Sequence, residues 1–187
     1  MLFRNAKITQ SKLVIKTLYH LSYSMEKRRV FISLGTNLGD RIENLKKAIQ
    51  SIDVQLGEII KASSIYETTP WGKSNQPDFL NQVVLIQSDK SPSDCLDILS
   101  TIEQQLGRKR EEKWGARIID LDLLYVDNEV NQTEKLTLPH PGIPLRRFVL
   151  VPLVEIAPEF IHPQLKKNQQ QLLTECQDKL EVTILKT

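Results

Sequence analysis

Val30-Phe31-Ile32-Ser33-Leu34-Gly35-Thr36-Asn37-Leu38-Gly39-Asp40-Arg41-Ile42-Glu43-Asn44-Leu45 holds a strand, a turn and a helix start in one stretch. Residues 30–34 are a short apolar strand, Gly35 to Gly39 a tight turn, and Asp40 stands where a helix N-cap belongs, with Glu43 three positions on. Ile42, Leu45, Ile49 and Ile52 then recur at helical spacing, which gives the helix one apolar face, and Gly57 ends it. The turn lacks the Gly-Lys-Ser/Thr ending of a P-loop and the three-glycine spacing of a dinucleotide fingerprint, so neither explains it.

Outward from this unit the pattern alternates. Glu58 to Tyr66 reads as a second strand, Glu67 to Asp78 as a long loop with Pro70, Gly72 and Pro77, and Phe79 to Ser88 as a third strand. Ser91-Pro92 opens a second helix carrying Leu96, Leu99, Ile102 and Leu106 to a stop at Gly107. A basic loop from Arg108 to Arg117 leads into a strand over Ile118 to Val126. The order β-α-β-β-α-β is that of a ferredoxin-like α+β sandwich, an antiparallel sheet with helices on one face. Asp127-Asn128 turns into a shorter strand, and 147–156 and 169–180 add C-terminal helices. A loop as long as 67–78 is uncommon in a compact domain unless it binds something.

Composition sets the bounds. The 187 residues, 40% hydrophobic and 26% charged, suffice for one domain with a real core and argue against wholesale disorder. No apolar run approaches the roughly 20 residues of a membrane span. A net charge of +2 gives no global field for nucleic acid, and no basic-aromatic platform for RNA is present. Cys95 and Cys176 have neither disulfide-framework nor metal-site spacing, which suits a reducing cytosol. Residues 1–25 carry Arg4, Lys7, Lys12 and Lys16 but no acid before Glu26. They are expected outside a single domain over 26–187, as an arm upstream of a start at Met25 in a cytoplasmic protein, with an organellar targeting segment as the alternative.

The chemistry concentrates in Ile118-Ile119-Asp120-Leu121-Asp122-Leu123-Leu124. Aspartate is disfavoured in strands, yet two stand at i and i+2, on one face and about 7 Å apart. They repel unless a cation lies between them, and hard oxygen ligands without Cys or His favour Mg²⁺. The pair alone fits an edge strand showing two solvated acids equally well. Arg108, Lys109, Arg110, Lys113 and Arg117 directly precede it, and cations converging with a dicarboxylate are what a triphosphate requires. Phe79 and Asn81, also i and i+2, offer a stacking ring and a two-sided amide to a flat heterocycle, although a core ring beside a satisfied amide is the more common reading of such a pair.

These residues resemble the 6-hydroxymethyl-7,8-dihydropterin pyrophosphokinases of folate biosynthesis. The resemblance rests on Lys113-Trp114-Gly115-Ala116-Arg117-Ile118-Ile119-Asp120-Leu121-Asp122, Ser33 to Asp40, Tyr66-Glu67-Thr68 with Pro70-Trp71-Gly72, Gln76 to Asn81, Leu138-Pro139-His140-Pro141 and Pro152 to Pro158. It implies Mg-dependent transfer of diphosphate from ATP to the pterin hydroxymethyl oxygen with release of AMP. It also implies Asp120 and Asp122 on two Mg²⁺ ions, and Arg108 and Arg117 on the transferring group. Arg110, Trp114, Lys135, Thr137, His140 and Arg146 would bind ATP, and Thr68, Trp71, Phe79, Asn81 and Phe148 the pterin. The expected partners are these small molecules alone, with the protein a monomer. Phe79 stands where some members have Tyr, Lys135 where others have Arg, and Thr69 and Ala116 where prolines are common. A metal-dependent nucleotide hydrolase and a non-catalytic binding module are the competing readings. The first would turn over ATP without pterin, and the intact Asp120, Asp122, Arg108 and Arg117 count against the second.

Overall fold

A computed structural model describes residues 27–72, 75–108 and 115–186. Strand β1 (Arg28–Thr36), helix α1 (Arg41–Gln55), strands β2 (Glu58–Ala62), β3 (Tyr66–Thr68) and β4 (Phe79–Ser88), helix α2 (Pro92–Gln105) and strand β5 (Asp120–Val126) follow in chain order. β1 lies between β5 and β4, and β2 and β3 both pair with the far side of β4, every pairing being antiparallel. With β2 and β3 taken as one interrupted strand, this is the ferredoxin-like α+β arrangement.

Local chemistry starts α1 and α2 where the sequence places them. The Asp40 side chain accepts the Glu43 N–H at 3.0 Å, and Ser91 accepts that of Asp94 with Pro92 in the first turn. Each cap satisfies a donor that the helix cannot, worth about 1 kcal/mol. Gly57 is required by close approach: a Cβ there would lie 2.2 Å from the Gln87 carbonyl oxygen of β4.

Alternation along the strands divides the core in two. Val30, Ile32 and Leu34 of β1 and Leu121 and Leu123 of β5 pack with Leu45, Ile52, Leu99 and Ile102 of α1 and α2. Phe31, Val83, Leu85, Leu124 and Tyr125 face the other way. The pairing of β1 with β5 slips between Phe31 and Ile32, so Leu124 and Tyr125, though adjacent in sequence, both join that second layer.

The second face is covered by the C-terminal region. After β6 (Asn131–Gln132), β7 (Thr137–Leu138) and a 3₁₀ turn (Ile143–Leu145) come α3 (Arg147–Ile156), α4 (Gln169–Glu175) and the edge strand β8 (Thr183–Ile184), which pairs with β3. The expectation of helices on one face therefore holds for α1 and α2, while Val149, Leu150 and Leu153 of α3 and Leu172 of α4 close the other.

Two of the boundaries that differ from the sequence reading do so through tertiary hydrogen bonds. The strand expected over 58–66 is broken at Ser63, whose hydroxyl accepts the Val83 N–H at 3.0 Å; one extra residue is absorbed there, and pairing resumes at Tyr66 and runs to Thr68. The helix expected over 169–180 stops at Glu175, because Asp178 turns away to accept the Arg147 N–H of α3 at 2.9 Å and the Leu180 N–H at 3.0 Å. Arg146 gives α3 no side-chain cap, so an acid 31 residues on supplies the acceptor.

Candidate active site

The site lies on the sheet face opposite α1 and α2, beyond the end of the second core layer. There β1 contributes Ser33 and Gly35, β3 Thr68, β4 Phe79 and Asn81, and β5 Asp120 and Asp122, one pleat-parity set across four strands. In the register Gly35 faces Asn81 on one side and Asp120 on the other. A Cβ at Gly35 would sit 3.6 Å from Asn81 Oδ1 and 4.0 Å from Asp120 Cβ, so the floor between amide and carboxylate is bare backbone.

Three guanidinium groups meet the two aspartates. Arg108 Nη1 is 2.6 Å from Asp120 Oδ1, Arg117 Nη1 is 2.5 Å from Asp120 Oδ2, and Arg146 Nη1 is 3.4 Å from Asp122 Oδ2. Arg108 also pairs with Glu103 of α2, a buried carboxylate whose Oε1 accepts the Leu121 N–H of β5 at 2.7 Å. Burial raises the Glu103 pKa against the pull of that N–H and of Arg108. Burial first, and the charge of Asp120 second, push the Asp122 carboxyl above the ordinary range, with His140, Arg146 and Arg117 pulling the other way. Asp122 therefore holds its negative charge at a cost that an added cation relieves. Among the described residues no cluster of three or more His, Cys, Asp and Glu side chains forms a ready-made metal cage. The two adjacent carboxylates fit a hard cation that takes one or two protein oxygens and fills its shell from water and phosphate.

His140 is fixed at both its backbone and its ring. Its main-chain N–H donates to the Leu124 carbonyl at 2.9 Å, its Nδ1 accepts the Gly142 N–H at 3.0 Å, and burial lowers its pKa against the pull of Asp122. With Nδ1 occupied as acceptor, the proton sits on Nε2. A Cβ on Gly142 would lie 2.8 Å from Arg146 Cζ and 2.9 Å from His140 Cε1, so glycine lets both groups close over this turn.

The aromatic wall adjoins the charged one. The Trp71 and Phe148 rings meet edge-on at 6.5 Å, and the Arg146 guanidinium lies 5.4 Å from the first centroid and 5.9 Å from the second. Arg117 lies 6.0 Å over the Phe79 ring. Below, Asn81 Nδ2 donates to Thr68 Oγ1 at 2.9 Å, both residues being buried. Of the residues singled out in the sequence, Thr68, Trp71, Phe79, Asn81, Arg108, Arg117, Asp120, Asp122, His140, Arg146 and Phe148 thus belong to one contiguous surface. Thr137 is exposed on β7, and Lys135 turns to Asp97 of α2 at 2.7 Å. Arg110 and Trp114 lie outside the described residues.

The sequence reading missed Glu103, Asn37 and Glu155. Glu155 of α3 accepts the Ser64 N–H at 2.9 Å, the Ser64 hydroxyl at 2.9 Å and the Tyr66 hydroxyl at 2.9 Å, which bolts α3, and with it Phe148, to the strands carrying Thr68. Burial and that carboxylate push the Tyr66 phenol up to about 12, so it remains a donor.

The profile of 7,8-dihydro-6-hydroxymethylpterin-pyrophosphokinase (HPPK) matches residues 31–158, from the first core strand to the end of α3. The chain belongs to this family. A 2-amino-4-hydroxy-6-hydroxymethyldihydropteridine pyrophosphokinase of Aquifex aeolicus is 42% identical over 138 residues, covering 74% of this chain and 86% of that protein. The protein of the same description from Haemophilus influenzae is 41% identical over 147 residues, covering 78% and 88%. Crystal structures of HPPK-DHPS share the fold of this HPPK chain. One in complex with substrates superposes with a TM-score of 0.64 at 18% identity, over 79% of this chain and 43% of the larger one. The wild-type Plasmodium falciparum protein gives 0.64 at 17%, over 80% and 45%. The chain thus spans less than half the length of those structural neighbours.

Proposed function

We propose that Asp120 and Asp122 hold two Mg²⁺ ions against the triphosphate of ATP, with Arg108 and Arg117 on the transferring group and the pterin between Phe79 and Phe148. As an HPPK, the chain transfers pyrophosphate from ATP to hydroxymethyldihydropterin in folate biosynthesis. The observation that carries the site assignment is the convergence of two carboxylates and three guanidinium groups beside the bare floor at Gly35.

In the reaction the hydroxymethyl oxygen attacks the β-phosphorus and its proton is released to solvent; a new O–P bond forms, the bond from Pβ to the bridging oxygen breaks, and AMP leaves with that oxygen. Mg²⁺ held by Asp120 and Asp122 would screen the phosphate charges. Arg108 and Arg117 present planar forks to the oxygens on which charge collects, and His140 and Arg146 donate alongside. Thr68 and Asn81 read the heterocycle edge together with the backbone at Trp71. Arg110, Trp114, Lys135 and Thr137 complete the ATP contacts; the exposed Lys135–Asp97 pair, worth about 0–1 kcal/mol, yields easily to a phosphate. The protein works in the cytoplasm as a monomer.

Isothermal titration of ATP with and without Mg²⁺ tests the metal assignment. Affinity is expected to fall at least tenfold without the ion, and unchanged affinity would refute it. Phe79→Ala and Asn81→Ala should each raise the pterin Kd about tenfold or more while moving the ATP Kd less than twofold, since stacking and edge hydrogen bonds each supply about 1–3 kcal/mol. Equal losses for both ligands would indicate a damaged strand instead. Residues 1–25 are proposed to lie outside the catalytic domain, so a chain starting at Met25 should keep its kcat and melting temperature; a large drop in Tm would contradict this.

A further inference from the structure

Asn37, at the end of β1, is 2% exposed and spends every polar atom of its amide. Its Nδ2 donates to the Pro77 carbonyl at 3.1 Å and to Gln76 Oε1 at 3.3 Å. Its Oδ1 accepts the Arg117 N–H at 2.7 Å, and its own N–H donates to the Arg117 carbonyl at 3.1 Å. One amide therefore holds the end of the 67–78 loop, two residues before Phe79, and the backbone from which the Arg117 guanidinium reaches Asp120 at 2.5 Å. The post itself is rigid: Thr36 is fully buried, and Asn44 Nδ2 of α1 donates to Thr36 Oγ1 at 3.3 Å and to the Leu38 carbonyl at 2.9 Å.

We propose that Asn37 is a positioning residue that sets the heterocycle pocket and the phosphate-side arginine in register with each other, an inference that rests on the reading of those two pockets given above. Only an amide serves there. The Arg117 N–H demands an acceptor, while the Pro77 carbonyl, which cannot donate, demands a donor from the same side chain. A carboxylate would satisfy the first and repel the second; a hydroxyl is too short to span both.

This asymmetry supplies the test. Asn37→Asp keeps the acceptor for Arg117 and sets an acceptor against the Pro77 carbonyl, which breaks the anchor on the heterocycle side alone. Calorimetry with 6-hydroxymethyl-7,8-dihydropterin and, separately, with a non-hydrolysable ATP analogue and Mg²⁺ should show the pterin Kd raised about tenfold and the analogue Kd changed less than twofold. Asn37→Ala, which frees both sides, should add a fall in kcat. Gln76→Ala, in the surface loop, should raise the pterin Kd about threefold and combine non-additively with Asn37→Asp, because both act on one link. If Asn37→Asp fails to fold, Gln76→Ala decides alone, and an unchanged pterin Kd there overturns the proposal. Equal rises in both Kd values, or a lower Tm with both Kd values unchanged, would likewise overturn it by showing a purely structural role. Wild-type protein that bound the analogue but not the pterin would instead bring down the assignment of the pockets.

Discussion

Asp122→Asn should lower kcat by roughly 10²–10³ or more while leaving the fold at least as stable as before. The opposite signs come from one property. Burial and the charge of Asp120 raise the Asp122 pKa, so in the ligand-free protein its ionised form is held at a cost in folding free energy. Asparagine keeps the shape and one oxygen but removes the charge, which relieves that cost and deprives the site of a cation ligand. The sign with pH follows. An acid whose pKa is raised by folding costs stability above its unfolded value, so the variant's advantage is full above the raised folded value, fades as pH falls through that value, and is gone below the ordinary carboxylate range of about 4. Asp120→Asn should lose activity equally but differ in stability, since Asp120 neutralises Arg108 at 2.6 Å and Arg117 at 2.5 Å. Steady-state kinetics and thermal melts on both variants check the pattern; near-normal activity of either in Mg²⁺ would refute the metal role.

Arg117→Ala is the second large effect expected, a loss of roughly 10²–10³ in kcat with the Kd of ATP raised only a few-fold. In the resting protein this guanidinium is occupied by Asp120 and lies over the Phe79 ring. Its charge is thus already balanced, and much of what it adds comes when negative charge shifts between phosphates during transfer, a gain that appears in kcat rather than in ground-state affinity. Lysine at this position offers a point charge without the planar fork and should recover part of the loss. The competing pairing of Arg117 with Glu111 or Glu112 falls on residues outside those described. A surface pair of that kind would predict about 0–1 kcal/mol of stability and no change in rate. Unchanged kcat with a small stability loss in Arg117→Ala would therefore end the catalytic role.

What could be read in advance was what local chemistry decides. Asp40 and Ser91 cap their helices through residues three positions away, and the apolar run at 30–34 needs no distant partner to declare itself a strand. Asp120 and Asp122 were legible because strict alternation puts i and i+2 on one face wherever the strand ends up. The break at Ser63, the stop at Glu175 and the two-residue strand β8 were not, since each depends on a group far away in sequence: the Val83 N–H, the Arg147 N–H and the edge of β3. Glu103 was hidden for the same reason. A single glutamate beside Leu99 and Ile102 reads as part of a solvated helix face, and only the arrival of Arg108 and the Leu121 N–H makes its burial tolerable. Lys135 shows the converse, its ammonium resting on Asp97, a partner that motif spacing does not disclose.

Product analysis is the most direct test of the central claim. The full chain, incubated with Mg²⁺ and ATP and with or without 6-hydroxymethyl-7,8-dihydropterin, should yield AMP and the pterin diphosphate in equal amounts when the pterin is present and negligible nucleotide product when it is absent. AMP or ADP formed at the same rate without pterin, or ATP left intact in its presence, would contradict the account.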